Sequence, residues 1–263
     1  MLKRTQRIQC VAGKSQPQVN SCVLKTFSNM AQITTLVRDG KTSLSHFTIP
    51  AESESPEIIP IPEIERVLGV LSQHGQTVSI TVDNDALVFK SGSKSTRLTA
   101  SLNGTAFPHS QETVGEWCAK SEQLYSKFAL DENGHFEGYV MANDEIRQPF
   151  FSWKVNCNEL YEALRCDGMN NQKLNRYTFA FKGDKARVGV GEEMRGFTVC
   201  EFEIAPLEVE PFEWDFEGGL ENIFANIESD AILHFLDFRK ENQGIRMFID
   251  LGIFGKVYQA GVL

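Results

Sequence analysis

The sequence predicts an α+β fold of two similar domains, each a pair of βαβββ units. Residues 62–102 place apolar side chains at helical spacing first and then alternate apolar and polar side chains over three short runs. This pattern predicts one helix followed by a three-stranded antiparallel meander. The same order recurs from Asn156 and from Gly218, and more weakly before Pro50. A single such unit leaves sheet edges unpaired, so four copies favour pairing into two domains.

The first half contains the weakest copy of the unit. Residues 1–15 fit either a strand or a solvated basic terminus. Apolar residues within 16–30 have helical spacing, which predicts a helix that carries Lys25. Two alternating runs within 33–49 predict a hairpin, and a short strand is expected at 58–59 before the helix of the clearest unit.

The repeat is interrupted in the middle of the chain. Residues 103–148 show no copy of the unit and are interpreted as an interdomain linker, in which 114–128 is expected to form a helix or to pack against a domain. The pattern resumes with a strand at 150–155. The predicted domains are therefore 1–102 and 149–263.

Composition restricts the class of protein. The chain has 263 residues, a formal net charge of -9 and 41% hydrophobic residues, which is ordinary for a globular protein. The acidic balance argues against coating nucleic acid with the whole surface, although one face could still be basic. The six cysteines form no CxxC pair and are interpreted as reduced thiols. With no secretory h-region and no long apolar run, a cytoplasmic protein, or a host-cell protein if viral, is expected, and neither secretion nor membrane insertion.

No catalytic constellation stands out. The sequence has no GxxxxGK[ST], no GxSxG and no HExxH motif. The glycines at 189 and 191 suit a bulge better than a phosphate cradle, and the carboxylates of 208–217 suit a solvated strand face. The five histidines are scattered. We therefore expect no enzyme, no catalytic residues, no metal site and no cofactor.

Three stretches carry a resemblance to a known family. They are IPEIERVLGVLS with a meander ending in KSTRLTAS, then FSWKVNCNELYEAL, and finally VYQAGV at the end of the chain. In this order and spacing they resemble the second helix and edge strand of the first domain, the opening of the second domain, and the Tyr-x-Ala-Pro tail of ring-shaped DNA sliding clamps. The tail has Gly261 in place of proline. The match is to the two-domain trimeric type of phages, archaea and eukaryotes (proliferating cell nuclear antigen), and the helix stretch favours a viral or archaeal source.

The resemblance implies the DNA clamp fold, with helices on the inner face and sheets outside. Three chains would close head to tail as a homotrimer, with strand 95–102 of one chain beside strand 197–204 of the next. Such a ring is a processivity factor that encircles double-stranded DNA without reading its sequence and tethers a DNA polymerase. By helix position, the resemblance implies these DNA-facing residues: Lys25, Arg66, Arg165 and Lys173.

The resemblance also implies a groove for peptides of partner proteins, namely the polymerase and the clamp loader. Apolar anchors in such a groove supply most of the affinity. The alternative for these residues is a role in the core. The matching positions are Leu44, Phe136, Tyr139, Val140, Met141, Tyr258, Ala260 and Gly261.

Two other functions remain open at this stage. The chain could be a clamp-like interaction scaffold that does not encircle DNA, which the mass in solution would distinguish. It could also be an unrelated α+β enzyme, which would have a deep pocket with convergent polar groups.

Overall fold

The computed structural model describes residues 22–37, 43–61, 63–84, 86–99, 114–165, 176–192, 196–217 and 219–262. The strand predicted within 1–15 lies outside them, as does Lys173. The first half contains β1 (Cys22–Phe27), β2 (Met30–Val37), β3 (Ser43–Pro50), β4 (Ile58–Ile61), α1 (Ile64–Leu71), β5 (Ser79–Asp83), β6 (Ala86–Ser91) and β7 (Lys94–Thr99).

The rest of the chain consists of a middle segment and a second half. The middle segment contains α2 (Val114–Tyr125), β8 (Phe128–Leu130), β9 (Phe136–Val140) and β10 (Ile146–Arg147). The second half contains β11 (Phe151–Asn156), α3 (Cys157–Leu164), β12 (Arg176–Lys182), β13 (Lys185–Glu192), β14 (Gly196–Glu203), β15 (Phe212–Glu217), α4 (Glu221–Phe224), β16 (Asp230–Phe238), β17 (Gly244–Asp250) and β18 (Gly255–Ala260).

Paired βαβββ units explain how the strands combine. In the second half, the strand that opens each unit pairs with the meander of the other unit: β11 pairs with β16, and β15 pairs with β12. In the first half, β4 opens the second unit and pairs with β1 of the first. The α+β fold of meanders and short helices, predicted from period-two alternation, is confirmed.

One eight-stranded sheet runs through both halves of the chain. Its order is β11-β16-β17-β18-β3-β2-β1-β4, so the two halves meet where β18 pairs with β3. Gly255 begins that junction opposite Phe47, and a Cβ at Gly255 would lie 2.1 Å from the backbone oxygen of His46. The backbone φ of Gly255 is +137°, a conformation that residues with a side chain rarely adopt. The close approach and the positive φ both require glycine at this position. The remaining sheets are β5-β6-β7, β14-β13-β12-β15 and β10-β9-β8.

The two faces of the eight-stranded sheet enter different cores. One face carries Phe47 and Phe235, which pack with α1, α3, α4 and the two meander sheets in what we call the inner core. The opposite face carries Leu44 and Tyr258, which are directly paired across β3 and β18. This outer face is covered by the middle segment of the chain. Helices α1, α3 and α4 therefore lie on the opposite side of the sheet from the middle segment, which contains α2.

The middle segment is more ordered than the term linker suggests. The expected helix within 114–128 is confirmed as α2, which packs on β2 and β3. Residues 128–147 then form a three-stranded sheet, in which the turn between β8 and β9 is closed by the amide of Gly134 donating to the carbonyl oxygen of Asp131 at 2.9 Å. The Asp131 side chain also accepts from the amides of Asn133 and His135.

The helix predicted within 16–30 is wrong for its described part. Cys22–Phe27 is a strand, β1, which lies between β2 and β4. Leu24 faces the inner core, whereas Val23 is buried on the other side of the sheet. A strand with both faces buried loses its alternation, and its apolar residues can then imitate helical spacing.

Helix α3 begins where the sequence places a capping residue. The side-chain oxygen of Asn156 accepts hydrogen bonds from the amides of Asn158 at 3.0 Å and Glu159 at 3.3 Å, which satisfies two of the otherwise unpaired donors of the first turn. Leu160 and Leu164 then face the inner core, and α3 packs against α4. Within the described ranges, none of the helices has the length and apolar character needed to cross a bilayer.

Candidate DNA-facing helices and partner-binding groove

The four predicted DNA-facing cations lie in different settings. Arg66 is on α1 and Arg165 directly follows α3, so both lie on the helical side of the large sheet. Lys25 is on strand β1 instead, because the helix expected there is a strand. Of the three cations among the described residues, two are therefore placed by helices, and Lys173 lies outside the described ranges.

The side chain of Lys25 lies on the outer face of the sheet. Its ammonium group forms an ion pair with Glu122 of α2, and α2 covers the outer face of the sheet. The side chain of Lys25 is 20% exposed. The expectation that Lys25 projects from a helix toward a central opening is therefore wrong. Its side chain lies on a strand and supports α2.

The exposed helix surfaces carry more carboxylates than cations. Arg66 lies 3.4 Å from Glu63, and Arg165 lies 3.7 Å from Glu162. The exposed side of α3 also carries Glu159. Each arginine is half-exposed and has a carboxylate three residues earlier, an arrangement worth only a few tenths of a kcal/mol. Both arginines could therefore exchange these partners for phosphate groups at small cost.

Five of the predicted groove residues lie in one cluster on the outer face of the sheet. The cluster, here called the linker cluster, contains Leu44, Phe128, Phe136, Tyr139, Leu236, Phe238, Phe248 and Tyr258, with Met141 packed at its border. Its buried members include Leu44 and Tyr258 at 1% exposure each. The structure therefore gives these residues a core position, the alternative left open by the sequence.

Aromatic rings from the β8–β9 hairpin fill the space over the sheet. The ring of Phe128 lies 5.1 Å from Phe248 and 5.2 Å from Tyr258, and Tyr139 stacks near Tyr258 at 6.2 Å. The hairpin thus occupies the position where the resemblance implied an open groove. Val140 points away from the cluster, because it pairs with Ile146 on the opposite face of the hairpin from Tyr139.

Two arginines close one side of the linker cluster. The guanidinium of Arg246 lies 4.3 Å from the centre of the Phe238 ring and donates to the Tyr258 hydroxyl. Arg147 lies 4.6 Å from the same ring and makes two hydrogen bonds to the carboxylate of Glu241. Burial raises the pKa of Tyr258, so its hydroxyl stays protonated and can accept the arginine hydrogen bond while remaining neutral.

Ala260 and Gly261 belong to a tail that ties two sheets together. The amide of Gly261 donates to the carbonyl oxygen of Ile245 at 3.0 Å, and the amide of Val262 donates to the oxygen of Asp215 at 2.8 Å. A Cβ at position 261 would lie 2.1 Å from Nε1 of Trp214. The glycine that stands where the resemblance has proline is therefore packed against Trp214 and uses its N–H group, which proline lacks.

The strands implied as contact strands between chains lie at the ends of two separate sheets. β7 is the last strand of β5-β6-β7, and β14 is the first strand of β14-β13-β12-β15. Arg97 points outward from β7, where it pairs with Asp83. Glu201 points outward from β14 and accepts hydrogen bonds from Lys185 and from Arg187, the latter at 2.9 Å. Those two cations lower the pKa of Glu201, so it stays negatively charged.

Four members of the linker cluster were not identified from the sequence: Phe128, Leu236, Phe238 and Phe248. A pattern that could have identified two of them is present in the sequence, because Phe248 and Leu236 alternate with inner-core residues along β17 and β16. An interior strand with apolar residues at successive positions indicates that both faces of its sheet are covered.

Among the described residues, no group of three or more His, Cys, Asp or Glu side chains is arranged to hold a metal ion. Burial lowers the pKa of His46 to about 3, with Lys25 adding to the effect, and burial lowers the pKa of His234 to about 4. Both histidines are hydrogen-bonded to hydroxyl groups, His46 to Thr34 at 2.9 Å and His234 to Ser152 at 2.8 Å. Both are structural histidines beneath the middle segment, and Nε2 of His46 is buried without a hydrogen-bond partner among the described residues.

Comparison with solved structures places this architecture among DNA sliding clamps. The DNA polymerase III subunit beta from Pseudomonas aeruginosa aligns with 100% of this chain at a TM-score of 0.59 and 13% sequence identity. The polymerase III beta subunit of Caulobacter crescentus aligns with 98% of the chain at a TM-score of 0.57 and 15% identity. A third solved structure, the Pseudomonas aeruginosa clamp bound to griselimycin, aligns with 100% of the chain at a TM-score of 0.59 and 11% sequence identity.

These likenesses show the sliding-clamp fold. The chain spans 62% of the length of each of those three clamps. No protein-family model and no curated protein matches the sequence. The resemblance to sliding clamps inferred from short motifs is thus confirmed at the level of the fold, through bacterial β subunits, whereas the two-domain trimeric type stays a prediction.

Proposed function

We propose that this protein is a sliding clamp, a non-enzymatic processivity factor that encircles double-stranded DNA and tethers a polymerase. One observation carries the proposal: α1, α3 and α4 lie on one side of a continuous eight-stranded sheet, in a chain whose separate sheets end in β7 and β14. Joining β7 of one chain to β14 of another would extend the sheets around a closed path with these three helices inside. The clamp-like halves would be 1–102 and 149–263, joined by 103–148.

The charges of the two edge strands support head-to-tail joining. Arg97 of β7 and Glu201 of β14 both lie on the outward face of their strands and would become neighbours across a β7–β14 contact. An edge with a cation on one end and a carboxylate on the other disfavours like-with-like joining. We propose a homotrimer, as the resemblance implies.

Contact with DNA in this proposal is weak and depends on topology. Arg66 and Arg165 would meet phosphates, together with Lys173. Few phosphate contacts give a shallow dependence of binding on salt and allow movement along the duplex. Retention then depends on closure of the ring.

Partner peptides would dock beside the linker cluster. Removing Phe128, Phe136 and Tyr139 from it would expose three buried aromatic side chains, each worth about 1.5–3 kcal/mol. That cost would consume most of the binding free energy of a micromolar peptide, about 8 kcal/mol. We therefore assign docking of the polymerase and of a clamp loader to the uncovered side of the hairpin, where Val140 is half-buried and Ile146 is 51% exposed, with Met141 at the border between this side and the linker cluster.

The test is retention on DNA of different topology. The protein, with the clamp loader and polymerase encoded by the same genome, is assembled on primed circular DNA and separated from free protein by gel filtration. We expect retention and stimulation of the polymerase on circles, and loss of both after a restriction enzyme linearises the DNA. Equal retention on circular and linear DNA would contradict a topological link.

The acidic helix surfaces favour a second candidate, an interaction scaffold of the same fold that does not encircle DNA. Glu159 and Glu162 lie on the exposed side of α3. If α3 faces DNA, replacing both by lysine should lengthen retention on circular DNA and steepen its salt dependence by about two phosphate contacts. In a scaffold the same variant would change neither, and light scattering would give the mass of a single chain.

A further inference from the structure

Four large apolar side chains are exposed along one end of the eight-stranded sheet. Phe27 and Met30 flank the β1–β2 turn and are 42% and 41% exposed, Ile58 opens β4 and is 55% exposed, and Ile253 lies between β17 and β18 and is 84% exposed. We call these four residues the apolar end. Isolated exposed apolar residues are common, but a row of them on neighbouring strands indicates a contact surface.

Strand pairing places the four residues in one row. Phe27 pairs with Met30, and Met30 pairs with Pro50 at the end of β3. The β17–β18 turn adjoins the same end, because Gly255 pairs with residue 47 near the end of β3. From β4 to β18 there are four strand-to-strand steps, and at about 4.8 Å each the row extends over roughly 20 Å.

An acidic loop borders this row. The amide of Ala51 donates to the oxygen of Asn29, and the amide of Thr26 donates to the oxygen of Glu57 at 2.9 Å, so residues 51–57 run beside the β1–β2 turn. The loop exposes Glu52, Glu54 and Glu57.

These carboxylates are not neutralised by their neighbours. Within the described part of the chain, Glu52, Glu54 and Glu57 make no ion pair. The cations of the adjoining strands already have partners, Lys25 with Glu122 and Lys256 with Asp250 at 3.2 Å. The apolar end is therefore bordered by negative charge that no cation of the described residues compensates, and such charge repels nucleic acid and attracts a cationic protein segment.

We propose that the apolar end binds a basic amphipathic helix of a partner protein. Addition of a strand to β4 is disfavoured, since β4 has four residues and Pro60 has no N–H group to donate. A helix fits the row, because about 13 residues at 1.5 Å each span roughly 20 Å and present apolar side chains every three or four positions. Its lysines or arginines would face Glu52, Glu54 and Glu57. This site lies on the eight-stranded sheet of a single molecule, so it does not require that copies of the chain form a ring.

The experiment uses the full chain and a defined probe. A fluorescein-labelled helical peptide of roughly 14 residues, with leucine on one face and lysine on the other, is titrated by fluorescence anisotropy against a matched peptide with glutamate for lysine. The lysine peptide should bind and the glutamate peptide should not. Glu52→Gln/Glu54→Gln/Glu57→Gln and Phe27→Ser/Met30→Ser should each weaken binding by about tenfold.

Matched controls separate this site from general attraction to an acidic protein. Glu132→Gln/Glu137→Gln/Glu145→Gln makes the same change in net charge at exposed positions of the middle segment, and Val82→Ser/Val199→Ser removes exposed apolar residues elsewhere. Neither should affect binding. Equal weakening by the control and test variants would overturn the proposal. So would a drop in mass by light scattering for Phe27→Ser/Met30→Ser, which would assign the apolar end to a contact between copies.

Discussion

Phe136 of the middle segment stacks on Phe248 of the large sheet, with ring centroids 3.9 Å apart and planes 13° apart. Phe136 belongs to β9 and Phe248 to β17, so the pair joins the β8–β9 hairpin to the sheet shared by the two halves. Phe128 contacts both rings, at 6.2 Å and 5.1 Å. The hairpin is therefore held by aromatic packing in addition to its connections along the chain.

Truncating this contact should be costly. Phe136→Ala removes a ring that is 6% exposed, and we expect the free energy of unfolding to fall by about 3 kcal/mol from lost burial and a residual cavity. Urea denaturation measures the change. Glu137→Ala, at the exposed neighbouring position of the same strand, should cost less than about 0.5 kcal/mol. Similar losses for both variants would show that the hairpin is not held by Phe136.

Joining of copies through β7 and β14 predicts a charge-exchange experiment. Arg97→Glu and Glu201→Arg should each weaken association by up to about tenfold, because each places like charges across the proposed contact. The double variant should restore association, since the pair is reversed and not lost. Concentration-dependent light scattering gives the mass of the assembly.

The control for this exchange reverses an exposed charge elsewhere. Lys240→Glu lies in the segment between β16 and β17, away from both edge strands, and should leave the mass unchanged. If the double variant associates no better than the single variants, the two side chains do not meet between copies.

The tail glycine should resist substitution. Gly261→Ala places a methyl group against Trp214, and Gly261→Pro also removes the hydrogen bond to Ile245, so we expect losses of about 2 and 4 kcal/mol in the free energy of unfolding. Gly69→Ala is the matched control. A Cβ at Gly69 has no atom within 4 Å, and alanine should stabilise α1 by about 0.5–1 kcal/mol. Thermal unfolding of the three variants shows whether each substitution raises or lowers the stability of the fold.

The buried histidines predict loss of stability in acid. In the unfolded chain His46 and His234 take up protons near pH 6.5, whereas in the folded chain they remain neutral down to about 3 and about 4. Protons thus bind preferentially to the unfolded chain below pH 6.5. The free energy of unfolding should fall by up to about 1.4 kcal/mol per pH unit for each histidine as the pH decreases from 6.5 toward 4.

Urea unfolding at several pH values tests this slope. His234→Gln should flatten the decline, because glutamine keeps a hydrogen-bonding group near Ser152 and does not titrate. Ser152→Ala should lower stability at every pH without changing the slope, since it removes only the hydrogen bond. An unchanged slope in His234→Gln would assign the acid sensitivity to other groups.

Much of the fold could be predicted from the sequence, and β1 shows where prediction failed. The meanders of 79–99 and 176–203 were predictable because each strand has one face in the inner core and one face toward solvent. β1 has cover on both sides, so its alternation is lost and Lys25 was placed on a helix. The cover comes from residues far away in the sequence, which local patterns do not reveal.

The groove residues show the same limit from another side. The resemblance implied that Leu44, Tyr258 and residues of the middle segment line one groove, and in the structure they pack in one core cluster. The sequence could not show that the hairpin itself fills the space, because this depends on the pairing of β8 with β9 across the turn at Asp131 and Gly134. Two short apolar runs on either side of that turn were the available signal for a hairpin.

The junction of β18 with β3 determines where an assembly of this chain could open. Five residue pairs join these strands, from Gly255 opposite Phe47 to Gln259 opposite Ser43, so the two halves cannot swivel without breaking main-chain hydrogen bonds in the middle of a twisted sheet. Each chain would accordingly enter an assembly as a stiff unit. If copies of this chain close into the proposed ring, the ring would have to open at a contact between neighbouring molecules to admit a DNA duplex, leaving the β18–β3 junction of every chain intact.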